Sequence, residues 1–274
     1  MTTKHEAIQL PNVRKKKIPI AHEKTKRQQQ LFFGISGLLF VISLLVVEID
    51  WKQFVEGVEK LPATLSNMMQ ISLTMLPDYS KEMLASLVVA LLSLLFGLVL
   101  SIVTAFLVAR NIAPFMWLSY TIRFFVMMVR AVPTTVWVLI AVASIGFGYM
   151  AGILGLILPT SAYLIRTFAA QIEEVGDDTI EALRSVGANW ILIVFKGLLP
   201  KLKTIFIATI AFKFEINVAE SVVLGMVGAG GVGMLIQDSI AYYNFGDMTL
   251  GIMIVFFTMF IIETCTGLLR KKLR

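Results

Sequence analysis

The sequence predicts an all-α membrane protein with about six transmembrane helices. Hydrophobic residues make up 57% of the 274 residues and charged residues only 15%, whereas a soluble domain carries about 25% charged residues. The hydrophobic residues lie in long uncharged runs, and a run of about 18 or more is long enough to cross a bilayer. Lysine and arginine are also unevenly divided between the loops, which is typical of polytopic membrane proteins.

The same composition argues against other classes of protein. A net charge of +6 and a pI of about 9.4 would suggest a nucleic acid partner for a soluble protein, but here the membrane topology accounts for the basic residues. Cys265 is the one cysteine, so no internal disulfide can form. His5 and His22 lie in the polar N-terminal region, so the predicted spans offer no histidine ligand for a metal.

The N-terminal part of the chain is predicted to be a basic tail, an anchor and an external loop. Residues 1–30 form the basic tail, and residues 31–47 form the first span. We interpret this span as an uncleaved anchor, because the basic region is too long for a signal peptide and no small-x-small cleavage site follows. Residues 48–82 form the external loop, and the apolar stretch between Pro62 and Pro77 is a candidate interfacial helix.

Residues 83–269 contain the five remaining predicted spans. Two arginines and Pro133 divide the run 113–148 into an amphipathic cytoplasmic segment and a span, because charges at the middle of a bilayer are costly. The predicted elements are a second span at 83–109, the amphipathic segment 115–129, a third span at 131–148, a fourth at 151–170 with a kink at Pro159, a loop at 171–203, a fifth span at 204–223, a glycine-rich stretch and polar hairpin at 225–247, a sixth span at 248–269, and a basic tail at 270–274.

The distribution of basic residues assigns the two sides of the membrane. The two tails, the 110–130 region and the 166–203 region hold 20 of the 24 lysines and arginines, whereas the loops of the opposite side hold Lys52, Lys60 and Lys81. Basic residues favour the cytoplasmic side. Both termini are therefore predicted to be cytoplasmic in a multi-pass protein of the cell membrane.

The loop 171–203 has the pattern of a helix–glycine–helix hairpin. Residues 178–181, Asp-Thr-Ile-Glu, have the form of a capping box at a helix start. Gly187 suits the left-handed end of that helix, Asn189 can cap a second helix at 190–198, and Pro200 can open the fifth span. The second helix is too short to cross the membrane and too apolar for open solvent, so it either binds a partner or packs on its own bundle.

This hairpin resembles the coupling loop of bacterial ABC-importer permeases. The matching residues are Glu181-Ala182-Leu183, Gly187 and Leu199-Pro200, which are similar to that family's EAA–G–LP motif with leucine in place of the second alanine. The resemblance covers about residues 83–274. It implies a type I importer bundle whose cytoplasmic coupling hairpin docks in a cleft of a separate ATP-binding subunit.

Within that family, the sequence is most similar to phosphonate-importer permeases. The residues that carry this likeness are Phe214-Glu215-Ile216-Asn217-Val218, the block 223–233, Arg130-Ala131-Val132-Pro133 before Val136-Trp137, and Thr74-Met75-Leu76-Pro77-Asp78. The Glu-x-Asn element separates this group from the methionine-importer permeases. The family often has a basic residue just after Asn-Val, where this chain has Ala219.

The resemblance implies a permease that forms half of a dimer with a second copy or a paralogue. An extracytoplasmic binding protein would deliver the substrate, and ATPase subunits would drive alternating access. The chain has no P-loop motif, Gly-x4-Gly-Lys-Ser/Thr, so we expect its energy to come from a partner or an ion gradient. The resemblance also implies that the chain binds no cofactor and carries out no covalent chemistry. The alternatives are a permease for methionine or another small solute, and a self-contained secondary transporter.

Four polar residues of the fifth span are candidates for the translocation pathway. Lys213, Asn217 and Glu220 share one helical stripe, and Glu215 faces nearly the opposite way. Membrane-embedded ionisable groups usually face the bundle interior or a water-filled path. The alternative is a Lys213–Glu220 ion pair with Asn217 bonded to a neighbouring helix. Glu215 is then expected to contact another helix, for which Glu263 and Arg166 are candidate residues.

Five glycines follow the fifth span: Gly225, Gly228, Gly230, Gly231 and Gly233. Gly228-x-Gly230-x-x-Gly233 matches the dinucleotide fingerprint, but it lies between two predicted membrane helices and outside any βαβ unit. Small residues in this position favour close backbone packing. The family resemblance implies that they form part of the external gate region.

Overall fold

The computed structural model describes residues 23–47, 50–175 and 177–273, and every regular element in these residues is a helix. Most of the basic N-terminal tail, residues 1–22, and residue 274 of the C-terminal tail lie outside the described residues. The chain divides into two compact units, residues 1–61 and residues 62–274.

The first unit contains the anchor helix and the start of a second helix. Helix α1 spans Glu23–Val46 and begins before residue 31, because the polar residues that precede the apolar run are good helix formers. Helix α2 spans Trp51–Met68 and continues into the second unit. Asp50 caps it, because its Oδ1 accepts a hydrogen bond from the Gln53 N–H (3.0 Å). This amphipathic helix starts well before the stretch where the interfacial helix was predicted, and Pro62 lies inside it.

Helix α3 spans Leu76–Val108 and starts seven residues before the predicted position. Pro77 lies in its first turn, where a fixed φ favours helix initiation. The added turns are held by tertiary packing, because the Tyr79 ring is buried and its hydroxyl lies 2.8 Å from Ser239 Oγ. The sequence pattern alone did not reveal this contact.

The run after α3 is broken at Pro133, as predicted. Helix α4 spans Met116–Ala131 and helix α5 spans Thr134–Ile145, and the two are bent by 86°. Proline cannot continue the hydrogen-bond ladder of the preceding helix. Helix α5 has 12 residues, a length of about 18 Å, so it cannot by itself cross a hydrocarbon core of about 30 Å.

The remaining helices complete the second unit. They are α6 Tyr149–Glu174, α7 Asp178–Ser185, α8 Trp190–Leu192, α9 Leu199–Leu224, α10 Val232–Ala241 and α11 Phe245–Leu273, with π-helical turns at Ile193–Leu198 and Gly225–Ala229. Pro159 lies within α6, which continues through it. Helix α10 lies where a glycine-rich stretch and polar hairpin were predicted, so that prediction missed a helix.

The predicted count of six spans is not reproduced by length and composition alone. Among the described residues, four helices are long and apolar enough to cross a membrane, namely α1, α3, α6 and α11, and the bent pair α4–α5 would make five. Helix α9 has 26 residues, which is long enough, but Lys213, Glu215 and Glu220 place three charged residues within its apolar segment. The bend at Pro133 and the charges on α9 therefore account for the difference.

The second unit is held together by close packing of α3, α6 and α9. Phe168 of α6 stacks on Phe206 of α9 with ring centroids 4.2 Å apart, and Phe106 of α3 packs on the same ring. Ser101 Oγ donates a hydrogen bond to the Ser161 carbonyl across the α3–α6 contact (3.1 Å). Small and hydroxyl-bearing residues allow membrane helices to approach closely, so these three helices form the frame on which the hairpin and the polar residues of α9 are placed.

Candidate functional site

The loop between α6 and α9 folds as a hairpin that turns at Gly187. The Gly187 N–H donates to the Arg184 carbonyl (2.9 Å), and the Ala188 N–H donates to the Leu183 carbonyl (3.0 Å). The φ angle of Gly187 is +79°, the left-handed conformation that the sequence predicts. This pair of bonds is the Schellman arrangement that ends many helices at glycine, so local backbone chemistry fixes the reversal.

The start of the hairpin differs from the predicted capping box. Helix α7 begins at Asp178, the residue before it is Asp177, and no side-chain cap bond is formed there. The backbone of Asp177 is already helical, whereas a capping side chain needs an extended backbone. Glu181 and Ala182 are both exposed.

The second limb of the hairpin runs directly into α9. Asn189 Oδ1 accepts a hydrogen bond from the Leu192 N–H (2.9 Å), so Asn189 is the N-cap that the sequence predicts. The limb continues through α8 and the π-helical turn Ile193–Leu198, and α9 starts at Leu199 with Pro200 in its first turn. The second limb therefore continues into α9 without an intervening loop.

One face of the hairpin packs on its own bundle. Ile193, Val194 and Leu198 are buried in the hydrophobic cluster that contains residues of α3, α6 and α9. Trp190 Nε1 donates to the Ile112 carbonyl (2.9 Å) and so fixes the second limb to the segment that follows α3. The contacts of this face agree with the interpretation that the hairpin packs on the chain itself.

The opposite face of the hairpin is apolar and open. This outer face consists of Val186 at the turn, which is 77% exposed, and Phe195, which is 58% exposed, together with Ile191 and Leu192. Exposed apolar patches commonly mark a contact with another protein or with a membrane. The inner face therefore packs on the chain itself, and a partner contact at the outer face stays a prediction.

The stripe on α9 contains an ion pair at the edge of the bundle. Lys213 Nζ lies 3.3 Å from Glu220 Oε2, with the lysine side chain buried and the glutamate 28% exposed. Thr134 Oγ1 of α5 donates to the same carboxylate (3.4 Å), and Lys213 Nζ lies 5.3 Å from the Tyr163 ring centroid. The pair that the sequence offered as the structural alternative is thus formed, and Glu220 remains partly accessible.

Asn217 lies inside the bundle with no exposed surface. Its Oδ1 accepts from Thr160 Oγ1 of α6 (3.1 Å), and its Nδ2 donates to the Ala90 carbonyl (3.4 Å) and to Ser93 Oγ (3.3 Å) of α3. The amide therefore joins three helices, as the alternative to a pathway role requires. A direct role of Asn217 in the pathway stays a prediction.

Glu215 faces α11, on the side of α9 away from this stripe. Its Oε2 accepts from Thr266 Oγ1 (3.1 Å) and lies 3.6 Å from Arg270 Nη2. The expectation that Glu215 contacts another helix is confirmed, but the candidate residues were wrong. Glu263 and Arg166 are exposed, and the partners of Glu215 are Thr266 and Arg270 instead.

The five glycines form a tight backbone crossing at the other end of α9. Gly228, Gly230 and Gly231 have φ angles of +104°, +75° and +84°. A Cβ at Gly233 would overlap the Val222 carbonyl, and Gly225 packs against the same crossing. The Gly148 N–H donates to the Gly228 carbonyl (2.9 Å). The crossing therefore connects α9, α10 and the start of α6, and the described residues place no dinucleotide fold around it.

Residues 102–273 match the family described as "Binding-protein-dependent transport system inner membrane component". The match covers more than half of the chain and includes the hairpin, α9 and the glycine crossing. The chain belongs to this family. It is therefore a permease subunit of the ABC-importer class and not an ATPase, and its apolar helices are those of a multi-pass membrane protein.

Two curated permeases illustrate the similarity. The phosphate-import permease protein PhnE of Mycolicibacterium smegmatis is 34% identical over 177 residues, or 65% of this chain and 33% of that protein. The chain thus aligns with about a third of the length of that relative. The putative phosphite transport system permease protein HtxC of Stutzerimonas stutzeri is 26% identical over 271 residues, or 98% of this chain and 94% of that protein.

Solved structures share the fold of this permease. A permease chain from the inward-facing MetNI methionine ABC transporter superposes with a TM-score of 0.67 and 21% identity, covering 74% of this chain and all of that chain. This likeness confirms an importer-type helical bundle.

Some residues of the permease were not found by sequence reasoning. Thr134 and Tyr163 complete the surroundings of the ion pair on α9, but they come from other helices and carry no local signal. Ser86 Oγ accepts from the Val232 N–H (3.0 Å) and connects α3 to the glycine crossing. Helix α10 could have been found, because Val232, Leu235, Ile236 and Ser239 have helical spacing.

Proposed function

We propose that this permease forms half of the translocation pathway of an ATP-driven importer for phosphonate or a related phosphorus oxyanion. The observation that carries the proposal is the hairpin, which is rigidly joined to α9 and presents an open apolar outer face at the family's motif. The names of the phosphate-import and phosphite-transport relatives support the substrate class. The partners are an ATPase subunit, an extracytoplasmic binding protein and a second permease, either a copy or a paralogue.

The hairpin is proposed as the coupling element. Its inner face is fixed to the bundle by Trp190 and three buried aliphatic residues, and its outer face is free to enter a cleft of the ATPase. Because the second limb continues into α9, a displacement of the hairpin also displaces Lys213, Asn217 and Glu220. We therefore assign ATPase coupling to Glu181, Ala182, Gly187, Leu199 and Pro200.

The stripe on α9 is proposed to border the pathway. Glu220 is the accessible member, and its pairing with Lys213 leaves no net charge facing the path in this arrangement. Asn217 holds α9 against α3 and α6 so that this pair stays in place. Glu215 anchors α9 to α11 from the other side, and the glycine crossing acts as the external gate region.

The proposed orientation is supported by the ends of the helices. The pocket beside the hairpin is lined by Gln171, Lys201, Arg270 and Lys271 among others, so the C-terminal end of α11 lies on the same side of the second unit as the hairpin. This side carries most of the basic residues, as the cytoplasmic side of a membrane protein does. We therefore propose that the C-terminus is cytoplasmic, and we propose the same for the N-terminus from its basic sequence alone.

The decisive experiment is ATPase stimulation in a reconstituted complex. The permease, its ATPase and its binding protein are placed in liposomes, and ATP hydrolysis is measured with binding protein loaded with methylphosphonate, phosphite or methionine. We expect stimulation by the phosphorus oxyanions and not by methionine. Stimulation by methionine alone would support a methionine permease, and the failure of any ATPase to co-purify would favour a secondary transporter.

A further inference from the structure

A second basic feature of the molecule lies outside the residues assigned to coupling and outside the stripe on α9. A pocket of about 280 Å³ lies between the end of α3, one face of α4 and α6. Its α4 wall consists of Arg123, Val126, Met127 and Arg130, which are spaced at positions i, i+3, i+4 and i+7 and so share one helical face. The pocket is therefore formed by regular elements and not by a loose surface loop.

Four arginines line this pocket, which we call the arginine pocket: Arg110, Arg123, Arg130 and Arg166. Glu173 neutralises only one of them, because its carboxylate pairs with Arg123 and accepts the backbone N–H of Arg110 (2.8 Å). The other three side chains contact no carboxylate among the described residues. The pocket thus carries an uncompensated positive charge.

The walls between these arginines are apolar. Val108, Ile165 and Ala169 line the pocket beside the guanidinium groups. Like charges repel more strongly next to apolar surface than in open water, so an anion that enters the pocket relieves this repulsion. The guanidinium group is planar and binds phosphate oxygens in a bidentate manner.

We propose that the arginine pocket is a binding site for a phosphorus oxyanion group. Its volume lies just below the range of about 300–1,000 Å³ for typical small-molecule pockets, which suits a small anion or a lipid headgroup. Both sources share the same chemistry, a tetrahedral phosphorus centre with negatively charged oxygens. The inference does not rest on the transport proposal, because it follows from the charges and the shape of the pocket.

The test compares three forms of the full-length permease in nanodiscs. One is the wild type, the second carries Arg130→Gln and Arg166→Gln, and the third carries Lys203→Gln as a control. The two arginines were chosen because neither pairs with a carboxylate, so their removal leaves no unpaired acid. Lys203 is an exposed cation of α9 that does not line the pocket.

The first arm uses phosphatidylcholine nanodiscs and measures the thermal midpoint against inorganic phosphate and methylphosphonate, with acetate at matched ionic strength. The second arm adds phosphatidylglycerol and counts retained lipid by native mass spectrometry. In one of the two arms we expect the double variant to bind its ligand at least about tenfold more weakly than the wild type, because each arginine contributes a charge-assisted hydrogen bond. The Lys203→Gln control should bind that ligand like the wild type.

A loss confined to the first arm identifies a free oxyanion as the ligand, and a loss confined to the second identifies a lipid headgroup. If the double variant binds phosphate, methylphosphonate and phosphatidylglycerol as the wild type does, the proposal is wrong and the arginines serve only membrane orientation.

Discussion

At the scale of single residues, the backbone conformation at position 187 favours glycine, although there is room for a side chain. Its φ angle is +79°, and a Cβ added there would meet no atom within 4 Å. Any penalty for a larger residue therefore comes from the left-handed backbone, which costs most non-glycine residues roughly 1–2 kcal/mol. This separation makes the position a clean test of the hairpin's geometry.

We expect Gly187→Val to insert normally and yet to retain little ATPase and transport little substrate. A β-branched residue is a particularly poor occupant of the left-handed region, so the turn should distort while the membrane helices stay intact. The measurement is a pull-down of the detergent-solubilised complex with uptake measured in parallel. Gly187→Asn is the control, because asparagine tolerates this conformation and should behave like the wild type. Full ATPase retention and full uptake by the valine variant would contradict the coupling role.

Substitution of Asn217 should reduce uptake more than it reduces the stability of the protein. Asn217→Ala removes three hydrogen bonds, each contributing about 0.6 kcal/mol on average in membranes, so we expect the assembled protein to unfold at a modestly lower temperature. Uptake should fall severalfold, because α9 is no longer held to α3 and α6 beside the ion pair. Thr160→Val removes one of the three bonds and should show a smaller loss of both. Normal uptake by Asn217→Ala would leave Asn217 with a purely structural role.

At the scale of elements, the hairpin has one buried face and one exposed face. The buried face contains Ile193 and Leu198, and the outer face contains Val186 and Phe195. Burial on the bundle explains why an apolar segment too short to cross a membrane is stable here. The Phe195 ring takes no part in that packing, and it is exposed where a partner could bind it.

We expect Phe195→Ser to weaken ATPase binding without unfolding the permease. The ring is more than half exposed, so its loss should change the free energy of unfolding by only about 0.5 kcal/mol. An anchoring aromatic in an interface commonly contributes about 2 kcal/mol or more, which is more than tenfold in affinity. The measurement is the affinity of the purified ATPase for the permease in nanodiscs. Phe195→Leu keeps most of the apolar surface and should bind nearly as well, whereas unchanged binding by Phe195→Ser would move the docking site elsewhere.

The elements also show what the sequence could predict. The hairpin was predictable because Gly187, Asn189 and Pro200 each act through their own local backbone. The position of the break at Pro133 was predictable for the same reason, but its angle of 86° depends on packing against α6. The Glu215–Arg270 contact joins residues 55 positions apart in the sequence, and no local pattern distinguishes Arg270 from other basic residues.

At the scale of the whole molecule, α11 makes the topology of the second unit testable. Its 29 residues extend about 43 Å, which is more than the thickness of a hydrocarbon core. Asn244 lies just before its first residue, and Arg270, near its last turn, lines the pocket beside the hairpin. Position 244 and the hairpin should therefore face opposite sides of the membrane.

We expect cysteines at positions 56 and 244 to react with an impermeant maleimide added to intact cells, and a cysteine at position 185 to react only after the membrane is opened. Cys265 is exposed in the bundle, so it is first replaced by alanine to give a background without thiols. The expected pattern rests on the sequence, because the two tails and the 110–130 and 166–203 regions hold 20 of the 24 basic residues, and basic segments favour the cytoplasmic side. Labelling of position 185 in intact cells would place the hairpin outside, where no ATP-driven partner could reach it, and would overturn both the topology and the coupling role.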